Sequence, residues 1–170
     1  LKNLVMWDPA HYINIWYVKK IQHENFVYYT CSRLDGSQWR RIPTEGYATM
    51  PVMAADSSDG IVVSEFGPVL AHEMGHYLGL YHTFEGGCNN TDCELNGDRV
   101  CDTPPDNSYL PSSCTNPGST CNSDTLSNYS NGYFRDNVPD QVTNFMDYGN
   151  KNCSNQFTQG QAARMRAAIA

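Results

Sequence analysis

The run His72-Glu73-Met74-Gly75-His76-Tyr77-Leu78-Gly79-Leu80-Tyr81-His82 holds three of the chain's five histidines. His72 and His76 stand four apart, so on an α-helix both imidazoles project from one face and can chelate one ion. Glu73 lies beside the first ligand and points toward the ion's open side, where a carboxylate can take a proton from bound water. Gly79 lets the chain leave the helix through a backbone conformation that a Cβ resists. The turn there brings His82 back as a third ligand. Three imidazoles leave a fourth position for water, which separates a catalytic zinc from a closed structural one. Zinc in such a site lowers the pKa of its water to about 7. His11 and His23 have no comparable neighbours and read as ordinary strand or surface residues.

Length and charge narrow the class. The chain has 170 residues, enough for one domain with a real core. Eleven basic residues against eighteen acidic ones give a net charge of −7. That balance argues against nucleic acid or an anionic membrane as partner. No apolar stretch approaches the roughly 20 residues that a membrane span needs, and no signal peptide opens the sequence. A processed or excised catalytic domain is expected.

Seven cysteines are heavy usage. Six of them (Cys88, Cys93, Cys101, Cys114, Cys121 and Cys153) follow the histidine run, in a region poor in periodicity. In an oxidising compartment they read as three disulfides stapling long loops, with connectivity left open by the spacing. A thiolate zinc site is disfavoured because no C-x-x-C pair occurs. Cys31 is left over, and reads as a buried free thiol because no partner histidine can be named for it.

The rest of the chain is legible in outline. Tyr12–Val18 is aromatic and β-branched and predicts a central strand. Asn25–Tyr29 is either loop or strand. Asp56–Gly60 is a turn feeding a short strand, Ile61–Val63. The spacing predicts a helix from Pro68 to Leu78, with proline acceptable in its first turn. From Thr83 to Gln141 Gly, Pro, Asn, Asp and Ser are frequent, a loop length that calls for cross-links. Thr158 and Gln161 form a capping box that opens a final helix to Ala170.

The pattern His-Glu-x-x-His-x-x-Gly-x-x-His is the metzincin signature, which in that class precedes a methionine turn. Asn144-Phe145-Met146-Asp147-Tyr148 fits such a turn. Three further stretches, His82–Cys88, Gly97–Pro104 and Phe157–Gln161, make the last three fifths of the chain resemble the pappalysin family of metalloendopeptidases. The resemblance implies an α+β metzincin-type zincin with a mixed twisted sheet, an active-site helix, a disulfide-stapled irregular lower subdomain and a C-terminal helix. One catalytic domain, 1–170, is expected to divide into an upper subdomain, 1–82, that lacks its N-terminal strand, and a lower subdomain, 83–170. In such folds the strand before the active-site helix, here Ile61–Val63, is expected at the sheet edge, where substrate can pair with it.

The same resemblance implies a secreted, monomeric zinc endopeptidase whose precursor carries an inhibitory pro-segment. Glu73 would be the general base, Met146 a hydrophobic floor under the zinc ion (Zn2+), and Tyr148 a residue that swings to the zinc or the oxyanion. A structural calcium ion (Ca2+) would be held by Asp98, Thr103 and the Val100 carbonyl, since the acidic loop misses the EF-hand template. The pairing implied is Cys93–Cys101, Cys88–Cys121 and Cys114–Cys153. Relatives that cut before Arg or Lys carry an acidic side chain five residues beyond the turn's methionine. Here that position is Lys151, so a specificity pocket accepting neutral or acidic residues is expected. Two other classes compete with this reading. A silent binding module on the same fold would have no need of Glu73, and a zinc amidase rarely needs a third histidine followed by a methionine turn.

Overall fold

The computed structural model describes residues 2, 5–21, 32–34, 38–40, 44–51, 59–107, 114–126 and 133–169. Asn25–Tyr29, Cys31 and most of the Asp56–Gly60 turn lie outside the described residues. The chain groups into two compact units, Leu1–Tyr77 and Leu78–Ala170. The fold is α+β: among the described residues there are a small mixed sheet, an antiparallel strand pair and two helices, with three disulfides.

In the first unit, strands β1 (Ile15–Tyr17), β4 (Gly46–Ala48) and β5 (Ile61–Val63) form a sheet in the order β1-β5-β4. β1 runs parallel to β5 with Trp16 opposite Val62, and β4 runs antiparallel with Tyr47 opposite Val62. Strands β2 (Ser32–Leu34) and β3 (Gln38–Arg40) form a separate antiparallel pair. Helix α1 (Pro68–Tyr77) packs on β4 and β5.

Two strand expectations are corrected. Ile61–Val63 is the central strand of its sheet, and β1 and β4 are the outer strands among the described residues. The apolar run explains this, because Ile61, Val62 and Val63 are all buried and therefore need cover on both faces. The strand expected over Tyr12–Val18 is confined to Ile15–Tyr17 and flanks β5 instead of lying at the centre. Tyr12 packs edge-on against Trp7, and the Asn14 side chain exchanges hydrogen bonds with the Trp7 backbone, which ties this segment to the preceding loop instead of the ladder. Ile61, Val63 and Val69 form the core of this unit, with Ala48, Leu70, Met74 and Tyr77 packed around them. The Tyr77 hydroxyl donates to Asp59 at 3.2 Å and so ties the end of α1 to the approach of β5.

In the second unit, helix α2 (Gln159–Ala168) opens on the capping box. Thr158 Oγ1 accepts from the Gln161 N–H, and the Gln161 side chain accepts from the Thr158 N–H. No helix or strand occurs among the described residues of 83–141. Cys88–Cys121, Cys93–Cys101 and Cys114–Cys153 cross-link that region. By loop-closure entropy, each of the two longer links restrains the unfolded chain by about 4 kcal/mol. No described helix is long and apolar enough to cross a membrane.

Candidate metal centre

The helical spacing acts as the sequence requires. On α1 the Nε2 atoms of His72 and His76 face one another at 3.1 Å, with their rings nearly perpendicular. Gly79 adopts φ +87°, the left-handed conformation that turns the chain out of the helix. Three residues on, His82 brings one ring nitrogen to the pair, and the ligand atoms of all three histidines lie within 4.8 Å of one another. A tetrahedral zinc with Zn–N bonds of about 2.1 Å sets its nitrogens about 3.4 Å apart. The His72–His76 separation fits that requirement. This is the one cluster of three or more His, Cys, Asp or Glu groups among the described residues with metal-binding geometry.

Glu73 shares the helix with the first two histidines and is 7% exposed. Burial pushes its carboxyl up to about 8, so it holds a proton far more readily than a solvated glutamate. The space around it is set by β4. A Cβ built on Gly46 would stand 2.6 Å from Glu73 Cγ and 2.7 Å from Oε1. Gly46 was not singled out from the sequence, although a glycine inside a strand pattern signals a close approach of this kind.

The His82 ring stacks on Phe84 with centroids 4.8 Å apart and meets Tyr148 edge-on at 4.7 Å. Tyr148 therefore lies directly against the third histidine. Met146 is fully buried, and its carbonyl accepts from the Thr83 N–H at 3.2 Å. The turn that holds Met146 is fixed by Asn144, whose side-chain oxygen accepts from the Met146 N–H at 2.9 Å. Asn144 and Gln161, both wholly buried, exchange reciprocal amide hydrogen bonds of 2.9 and 3.2 Å. The capping residue of α2 thus also anchors the methionine turn. Gln161 was legible from sequence only in its capping role.

Asp147 points into the protein. Its carboxylate accepts from Thr83 Oγ1 and the Gly149 N–H and is hydrogen-bonded to Asp106, itself 2% exposed. Burial, with the Asp106 carboxyl adding to it, drives the Asp147 carboxyl up to about 8. That inward network makes Asp147 a poor candidate for a pocket charge. Lys151 is half-buried in the turn that leads to Cys153.

Asp98, Val100 and Thr103 come together in the second unit. Asp98 accepts from the Val100 N–H at 3.1 Å, and Thr103 Oγ1 lies 2.7 Å from both Asp98 Oδ2 and the Val100 carbonyl. Asp98 is 6% exposed, and burial raises its carboxyl to about 7.

Comparison with known proteins follows the same residues. The sequence profile of peptidase family M43, described as pregnancy-associated plasma protein-A, matches residues 3–170. Extracellular metalloprotease 1 of Coccidioides posadasii is 39% identical over 105 residues, covering 59% of this chain and 30% of the relative. An extracellular metalloprotease of Colletotrichum graminicola is 33% identical over 159 residues, covering 91% of this chain and 48% of the relative. Among solved structures, a variant of Tannerella forsythia promirolysin aligns with a TM-score of 0.51 and 28% identity, over 74% of this chain and 42% of that one. The chain spans less than half the length of each of these proteins. A profile match that takes in the histidine run, the methionine turn and the final helix alike makes this chain a member of the pappalysin (M43) family of zinc metalloproteases.

Proposed function

We propose that this chain is the catalytic domain of a secreted zinc endopeptidase that cuts protein substrates with water activated by Glu73. One observation carries the reading: the ligand nitrogens of His72, His76 and His82 converge within 4.8 Å, and buried Glu73 shares the helix of the first two. Zinc held there supplies a Lewis acid for the scissile carbonyl and lowers the pKa of a coordinated water to about 7. With zinc in place, the Glu73 carboxylate would accept a proton from the attacking water and later pass it to the leaving amine. Tyr148, packed on the His82 ring, offers a phenolic hydroxyl to the oxyanion. Met146 contributes the apolar floor and no ligand, since a neutral thioether suits zinc poorly.

The substrate backbone pairs with β4, which has β5 as its one partner among the described strands and so presents an edge. Lys151 shapes the pocket for the residue after the cut, and its ammonium disfavours Arg and Lys there. Calcium bound by Asp98, Thr103 and the Val100 carbonyl supports the irregular unit. Asp98 Oδ2, Thr103 Oγ1 and the Val100 carbonyl converge there, oxygen groups of the kind that calcium takes. Secretion agrees with the relatives' names and with three disulfides. The domain acts as a monomer. The precursor carries an inhibitory pro-segment, and the likeness to promirolysin supports that part of the proposal.

The test is cleavage of denatured casein by wild type and Glu73→Ala, each with its zinc content measured, before and after chelation. Wild type should lose activity with chelator and regain it with zinc. Glu73→Ala should keep stoichiometric zinc and lose at least ~100-fold in rate. Zinc-loaded Glu73→Ala that cleaves at the wild-type rate would remove the proposed base.

A further inference from the structure

The turn that carries His82 is held by a residue far away in sequence. Arg164, in the middle of α2, donates from Nε to the Gly79 carbonyl at 2.8 Å. Its guanidinium carbon lies 5.3 Å from the centre of the Tyr81 ring, and that of Arg99 lies 5.3 Å from the same ring. Two guanidinium groups therefore flank the side chain immediately before His82, a contact type that gains when water is excluded. Gly79 sits at φ +87°, and the carbonyls where a helix gives out have no intrahelical partner. Arg164 supplies one.

The helix that carries Arg164 is itself fixed. Thr158 Oγ1 donates to Asp102 at 2.6 Å, the Gly160 N–H donates to the same carboxylate at 2.8 Å, and Gln161 is locked to Asn144. On the other side of His82, the Thr83 N–H is held by the Met146 carbonyl. The third histidine is thus bracketed before by Arg164 and after by the methionine turn, and both brackets trace back to the first two turns of α2.

We propose that Arg164 is a positioning residue for the metal centre, fixing the Gly79–His82 turn so that the His82 imidazole is presented to the ion together with His72 and His76. It touches neither substrate nor metal. The inference rests on the reading of these three histidines as zinc ligands. Lysine replaces it only in part, since an ammonium keeps a charge and a donor but lacks the planar fork that stacks on Tyr81 while Nε–H reaches Gly79.

The experiment measures the zinc dissociation constant of the metal-stripped domain by competition with a chromophoric chelator. It uses wild type, Arg164→Ala, Arg164→Lys and Arg166→Ala, and each protein is also loaded with Co2+ for its visible spectrum. Removing an outer partner of a metal ligand typically weakens binding by about 10- to 100-fold, and that loss is expected for Arg164→Ala, with altered cobalt bands. Arg164→Lys should lie between Ala and wild type. Arg166, exposed on the same helix, should match wild type when changed to Ala. A role confined to helix stability would lower the melting temperature of Arg164→Ala and leave the zinc constant of the folded protein alone. Zinc binding within about twofold of wild type with an unchanged cobalt spectrum would overturn the proposal. If Arg164→Ala does not fold, the same result for Arg164→Lys overturns it. Wild type that takes up no zinc would sink the metal reading itself, a result distinct from failure of the Arg164 bracket.

Discussion

Substituting Gly46 by alanine should disable Glu73 while leaving the histidines in place. The three atoms nearest an added Cβ all belong to Glu73, at 2.6, 2.7 and 2.9 Å. Non-bonded carbons settle at about 3.5 Å or more, so the glutamate must retreat by about 1 Å. β4 cannot yield instead, because it is pinned to β5 on both sides. The Ser64 N–H donates to Glu45 at 2.7 Å, and the Thr49 N–H donates to Gly60 at 3.1 Å. A reacting group misplaced by about 1 Å costs about 100-fold, which is about 2.7 kcal/mol of barrier. Overpacking should also destabilise the fold by about 1–3 kcal/mol, a melting shift of about 2–4 °C for each. The assay is steady-state cleavage of a quenched peptide, with zinc stoichiometry measured on the same sample. The expected result is a fall in kcat of about 100-fold, with full zinc occupancy and a smaller change in KM. The double variant with Glu73→Ala should be no slower than Glu73→Ala alone, because the clash acts only through that carboxylate. Wild-type kcat in zinc-loaded Gly46→Ala would refute the reasoning, as would additive losses in the double variant.

Further outcomes follow from other parts of the molecule. Reducing Cys88–Cys121 and Cys114–Cys153 removes about 4 kcal/mol of restraint from each loop. Activity should then vanish before the β1-β5-β4 sheet loses its hydrogen-exchange protection, and full activity with thiols counted as free would exclude this. In metal-free protein, Asp98 and Asp147 have folded pKa values of about 7 and about 8, above the ordinary carboxylate range. Their contribution to stability is full below about pH 4 and is lost as pH rises through 7 to 8. The urea midpoint should therefore fall over that window, and Asp147→Asn should flatten the fall. Cleavage-site profiling of a peptide library should show neutral or acidic residues accepted after the cut. A strong preference for Arg there would remove the role given to Lys151.

How far the sequence reaches depends on whether the physics is local. The i, i+4 spacing of His72 and His76, the escape of the chain at Gly79 and the capping box at Thr158 and Gln161 are each decided within one or two turns. All three are legible without a fold, and so was the helix over Pro68–Tyr77 to within one residue of its end. The family was legible too, because its motifs are short runs with fixed offsets. Strand order was not. Ile61–Val63 reads as a short strand wherever it sits, and only the burial of both its faces puts it at the centre of the sheet and leaves the edges to β1 and β4. The contacts that tune the site are long-range for the same reason. Gly46 meets Glu73, Arg164 meets Gly79, and Asp106 meets Asp147 across separations where no periodicity operates. The sequence by itself determined which side chains could hold the ion. The tertiary structure decided what space Glu73 has, which side chain reaches the Gly79 carbonyl and which acid lies against Asp147, since those depend on close packing between segments that the chain brings together only by folding.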